Sequence, residues 1–113
     1  MKKFIYKICN NLEWANAKKG KRFNGTKKDR LDGFIHFSFK QQVKSTLNKY
    51  FLKKDKLILL KIDTSKLNNI IIERSSDDLL FPHLYSYLDL KHVKKVYKIF
   101  LNKKGEHNLK LKF

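Results

Sequence analysis

At 113 residues, 42% of them hydrophobic and nine of them Phe, the chain is long enough for one core and too short for two. No apolar run approaches the ~18–20 residues that span a bilayer, so no membrane partner is expected, and the lone Cys9 excludes an internal disulfide framework and fits a reducing, cytoplasmic compartment. The net charge of +17 raises the question of nucleic acid, but it is built from 24 Lys and only 3 Arg, the bias of A/T-rich coding, and Arg is the residue suited to bidentate phosphate and base contacts.

Phe4–Cys9 is β-branched and aromatic and predicts a first strand; it is too short, and broken by Lys7, to be a signal segment. Asn10 with Glu13 three residues on resembles a capping box, and Gly20 supplies a stop, so a helix follows over Asn11–Lys19. Lys21–Gly33, rich in Lys, Asn, Gly and Asp, reads as a polar loop. The next strand, Phe34–Phe37, turns Ile35 and Phe37 to the core and sets His36 and Ser38 together on its other face. Ser38 with Gln41 suggests a second capping box, leading into an amphipathic helix marked by Val43, Leu47, Tyr50 and Phe51.

Leu57–Ile62 is apolar except for Lys61, as a central strand would be. Ile70–Ile72 is a shorter strand ending in Glu73, followed by a loop at 75–78. Leu79–Leu90 contains no Lys, holds the single Pro, and reads as an apolar, aromatic connection. Val93–Leu101 and Leu109–Phe113 are predicted as two late strands with a turn at Lys103-Lys104-Gly105. The order β-α-β-α-β-β-β-β predicts one α+β domain over residues 1–113, with two early helices packed on small, mostly antiparallel sheets.

Among motifs, His36, His83, His92 and His107 show no metal-ligand spacing, so no metal is expected, and no Gly-rich nucleotide loop or serine elbow occurs. Cys9, alone in an apolar strand, reads as core. His36 is either a buried histidine satisfied by backbone or a pocket residue. Ser38 caps a helix on either reading. His83 and Tyr85 either plug the core or line a site. A buried His83 needs a partner for its ring nitrogens, and the His36/Ser38 strand end is the natural neighbour. We therefore expect His36, Ser38, His83 and Tyr85 to share one cleft.

Ile5-Tyr6-Lys7-Ile8, Glu13-Trp14, the run from Asp29 to Ser38, Gln42, Thr46, Leu57–Asp63, Glu73 and Phe81-Pro82-His83-Leu84-Tyr85 resemble the bacterial domain of unknown function 952 family, from about Phe4 to Val96. The resemblance implies a fold similar to the ADP-ribosyltransferases, and more closely to the RNA 2'-phosphotransferases, where a cleft between two small sheets holds NAD. It implies NAD or ADP-ribose as the ligand and ADP-ribosyl transfer as the reaction. His36, Glu73 and His83 would be catalytic, with Glu73 standing for the transferases' glutamate. Tyr6, Lys7, Arg30, His36, Ser38 and Tyr85 would bind the cofactor, with Lys27 and Lys28 near its pyrophosphate. The alternative from charge alone is a basic RNA- or nucleotide-binding module without catalysis.

Overall fold

The computed structural model describes residues 2–75, 77–109 and 113. Strand β1 (Phe4–Asn10) runs into helix α1 (Asn11–Gly20) through the predicted cap. Asn10 Oδ1 accepts from the Glu13 N–H at 2.7 Å, and Glu13 Oε1 accepts from the Asn10 N–H at 2.8 Å. Asn10→Ala strips this cap and is expected to cost about 1 kcal/mol, read as a lower urea midpoint at unchanged slope. The left-handed residue that ends α1 is Lys21 at φ 59°, whereas Gly20 stays helical.

Lys21–Gly33 is not the loop predicted. It holds β2 (Arg22–Phe23) and helix α2 (Lys27–Asp32), the latter capped by a reciprocal Thr26–Asp29 pair and ended by Gly33 at φ +85°. Elements of two and six residues are too short for hydrophobic periodicity to announce. After β3 (Ile35–His36) comes a single 3₁₀ turn at Lys40–Gln42 and then α3 (Val43–Tyr50). The described residues thus hold three α-helices where two were expected. Ser38 does not cap α3: Gln42 Oε1 accepts from the Phe39 N–H at 2.9 Å, while Ser38 and Tyr6 exchange backbone hydrogen bonds at 2.8 Å in both directions.

The remaining strands are β4 (Leu57–Asp63), β5 (Ile70–Arg74), β6 (Leu80–Leu84), β7 (Leu88–Asp89) and β8 (Val93–Ile99). They form an antiparallel sheet of order β1-β4-β8, a second of order β3-β6-β5, and a β2-β7 pair. The segment Leu79–Leu90, expected to be a connection, is therefore mostly strand. The chain reverses at Asn102–Gly105, where Leu101 bridges to His107. The strand predicted over Leu109–Phe113 falls largely on 110–112, outside the described residues. Among the described residues no helix is long and apolar enough to cross a membrane.

Both faces of the first sheet are covered, which is why β4 reads as an apolar run interrupted only by Lys61 before Asp63. Ile5, Cys9, Ile58, Leu60 and Ile62 pack with Phe23, Ile35, Phe37 and Leu84 on one side. Ile8, Leu57, Leu59 and Ile99 pack with Val43 and Leu47 of α3 on the other.

Pro82 lies in β6, the central strand of its sheet, and it sets where β3 stops. Its carbonyl accepts from the Phe37 N–H at 3.0 Å, so its nitrogen faces the same neighbour and has no proton to return. The ladder ends there. The chain crosses at Ser38 to pair with β1 instead, and the two sheets diverge on either side of that crossing.

Candidate functional site

A strand shows alternate residues to one face, so β6 turns Phe81 and His83 away from Pro82 and Leu84. Pro82 and Leu84 are buried in the core. Register places His36 beside His83 on β3 and Glu73 beside Phe81 on β5. One sheet face therefore carries His36, His83, Phe81 and Glu73, with Phe34 and Tyr85 at its end. It borders a cleft of about 620 Å³ between the sheets and helices α2 and α3.

The rings on this face touch one another. Phe34 stacks on His83 with ring centres 4.1 Å apart and planes at 24°, and lies 4.6 Å from His36 and 5.2 Å from Tyr85. His36 and His83 meet edge to face at 5.4 Å.

Each histidine is held by carboxylate, in a different way. His36 Nδ1 lies 2.6 Å from Asp29 Oδ1 and its Nε2 lies 3.0 Å from Asp32 Oδ2, so neither nitrogen is left for a ligand. His83 Nδ1 lies 2.8 Å from Glu73 Oε1, and that same oxygen accepts from the Tyr85 hydroxyl at 2.5 Å. With Nδ1–H donating to the carboxylate, Nε2 is the acceptor nitrogen of His83. The Tyr85 and His83 hydrogen bonds hold the Glu73 carboxyl below its ordinary range, and the bond to Glu73 pushes the Tyr85 phenol up.

Asp29 is the hub behind this face. Burial opposes its ionisation, yet the His36 bond and the Lys7 ammonium outweigh that and hold it well below the usual carboxylate range. Lys7 Nζ lies 2.7 Å from Asp29 Oδ2 and donates to the His36 carbonyl at 2.9 Å, joining β1, α2 and β3. Both side chains are almost fully buried, at 6% and 2% exposure.

Tyr6, Lys7, His36, Ser38 and His83 line the cleft. Tyr6 stands on the α3 side of β1 against the Phe113 ring, and Ser38 Oγ shares a hydrogen bond with Thr46 Oγ1 at 2.9 Å. Arg30 and Tyr85 lie instead in a smaller recess of about 200 Å³ that shares Phe34 and Asp29 with the cleft. Arg30 is tied back by Nη1 to the Gly25 carbonyl at 2.9 Å. Glu73 reaches the cleft only through His83. Cys9 is a free, buried thiol whose pKa burial raises to about 12, consistent with a core residue. Among the described residues no group of His, Cys, Asp or Glu could hold a metal ion.

Asp29, Asp32, Phe34 and Thr46 belong to the site without having been singled out for it. The one local signal was Thr26-x-x-Asp29, a cap pattern that fixes a carboxylate in place without saying what else it meets.

Residues 8–96 match a family model described as Protein of unknown function (DUF952). No curated protein matches the chain. Among solved structures it is similar to the crystal structure of protein CC0527 from Caulobacter crescentus, with 34% identity over 94% of each chain and a TM-score of 0.87; a double mutant of that protein gives the same figures. The solution structure of CC0527 has 35% identity over 93% of this chain and 91% of that one, with a TM-score of 0.82.

Proposed function

The chain belongs to the DUF952 family, and on that premise we propose that it binds NAD or ADP-ribose between its two sheets and moves an ADP-ribosyl group to an acceptor, on an ADP-ribosyltransferase-like fold. The observation that carries this reading is His83, oriented through Nδ1 by Glu73 with Nε2 left for a ligand, at the wall of a cleft of about 620 Å³. That volume falls within the ~300–1,000 Å³ of small-molecule sites.

The residues present fit such a ligand. Phe34 and Phe81 offer ring faces for a nicotinamide or adenine, and Lys27 and Lys28 on the cleft wall offer charge for a pyrophosphate. NAD supplies the ribose–nicotinamide bond that breaks, its electron pair leaving on the nicotinamide. His83 Nε2 takes the proton of the acceptor hydroxyl as its oxygen bonds to the ribose carbon. Glu73 holds the His83 ring and compensates its charge. Asp29 and Lys7 hold His36 and the backbone of β3, so the strand beside His83 is fixed before a ligand arrives. A cytoplasmic location belongs to the same reading and is supported by the single free thiol.

Isothermal titration is the direct test. NAD or ADP-ribose is expected to bind saturably below millimolar concentration, and Phe34→Ala to weaken the affinity by about tenfold. Folded protein that takes up neither ligand at millimolar concentration refutes the reading. The second reading, a nucleotide- or RNA-binding module without catalysis, has the charge of +17 in its favour.

A further inference from the structure

Helix α3 ends at Tyr50, and the turn after it carries Lys53, Lys54 and Lys56, all exposed. Cations near a helix C-terminus offset its dipole, which accounts for Lys49 in the last turn but not for the three beyond it. The reversal at Asn102–Gly105 packs against the same turn. The Leu101 N–H donates to Asp55 Oδ1 at 2.8 Å, and His107 Nε2 lies 2.9 Å from the Lys54 carbonyl. The reversal that carries Lys103 and Lys104 thereby lies beside the turn, with Lys53 Nζ close to Gly105. Asp55 is turned to the backbone N–H groups of Leu101 and Lys56, and Glu106, exposed on the same reversal, is another carboxylate near these lysines.

Tyr50 joins this ridge to the cleft. The residue is 47% exposed although it lines the cleft. Lys28 and Lys49 stand 5.6 and 5.2 Å from the ring centre. Each of these ammoniums also meets a carboxylate, Asp32 or Asp77, which holds it beside the ring. A half-exposed aromatic ring flanked by cations suits a nucleobase with its phosphates better than an acidic peptide, which has no flat group to stack. Lysines act as point charges without fixed hydrogen-bond geometry, so such a surface holds a backbone without reading its sequence.

We propose that Tyr50 and the ridge Lys53–Lys56 with Lys103-Lys104 form a sequence-tolerant docking surface for single-stranded nucleic acid, which leads a strand end into the cleft. The surface names the acceptor for the transfer proposed above and rests on that reading for that role alone; binding is measured without NAD.

The test is fluorescence anisotropy of the full chain with a labelled RNA of about 12 nucleotides and a DNA of the same sequence, with inorganic polyphosphate as competitor. Binding of either strand is expected, with log affinity falling against log salt by about 0.7 per phosphate neutralised. Tyr50→Ala is expected to weaken it about tenfold, and Tyr50→Phe to leave it unchanged. The triple change K53Q/K56Q/K103Q is expected to reduce the salt slope by about 2 and to leave NAD titration as it was. A flat salt response overturns the proposal. So does binding that ignores Tyr50→Ala and is displaced equally by polyphosphate, because that is charge alone. Circular dichroism of each variant separates these results from unfolding. Lost oligonucleotide binding with NAD heat intact refutes the surface only, and the converse refutes the NAD site only.

Discussion

Asp29→Asn is expected to lower the stability of the fold by about 3–5 kcal/mol, the cost of breaking a buried ion pair from one side. Against a total of about 5–15 kcal/mol for an ordinary domain, that change alone brings the protein near unfolding. Asp29 accepts from Lys7, from the Thr26 N–H and from both the backbone and the ring of His36. An amide in its place presents an NH₂ to groups that are all donors, and leaves the Lys7 charge buried without its partner. The double variant K7M/D29N is expected to be less damaged than the sum of its parts, because the second change removes the stranded charge. Chemical denaturation of the four proteins measures this. If Asp29→Asn costs under about 1 kcal/mol, the hub assigned to Asp29 is wrong.

The pH dependence follows from the sign of the shift. Asp29 titrates lower in the folded chain than in the unfolded one, where the carboxyl lies near ~3.9. Its contribution is therefore complete above that unfolded value and is lost as pH falls towards the folded one. The gap in stability between the parent and Asp29→Asn should be widest near neutrality and narrow progressively below about pH 4.

The second large effect concerns turnover. On the proposed reaction, His83→Gln removes the group that takes the acceptor's proton, and a loss of about 10²–10⁴ in kcat is expected. Glu73→Gln should lose about 10²-fold through the ring it orients. Glu73 stands behind His83 and does not line the cleft, so KM for NAD is expected to stay near the parent's in Glu73→Gln. A rise in KM with kcat preserved in Glu73→Gln would instead make Glu73 a ligand-binding carboxylate, against the catalytic role that the family resemblance implies for it.

The legible parts of the fold were those written in local pattern. β1, the α1 cap, the apolar run of β4 and the helical spacing of Val43 and Leu47 all carry their own periodicity or hydrogen-bond partners within a few residues. β6 was hidden because Leu80-Phe81-Pro82-His83-Leu84 contains Pro and little polar contrast, so its alternation is masked and proline argues against a central strand. In the site, the histidines stood out as chemistry-bearing groups in apolar surroundings. Asp29 did not, because a carboxylate between Lys28 and Arg30 looks solvated, and only the long-range approach of Lys7 and His36 buries it. The capping role expected of Ser38 is absent: its backbone pairs with Tyr6 at that corner and its hydroxyl meets Thr46.

Pro82 also bears on which alternative pairings the chain can adopt. A strand slipped by one position would exchange its faces, sending His83 and Phe81 into the apolar interior and Leu84 out to solvent. Any slip that brought Pro82 alongside Ile35 or His36 would also strip a bond from a ladder only two residues long. The imino acid is harmless in one alignment, where it sits just past the end of β3, and costly in its neighbours. A residue with no polar hydrogen of its own thus selects the arrangement that keeps both imidazoles facing the same space.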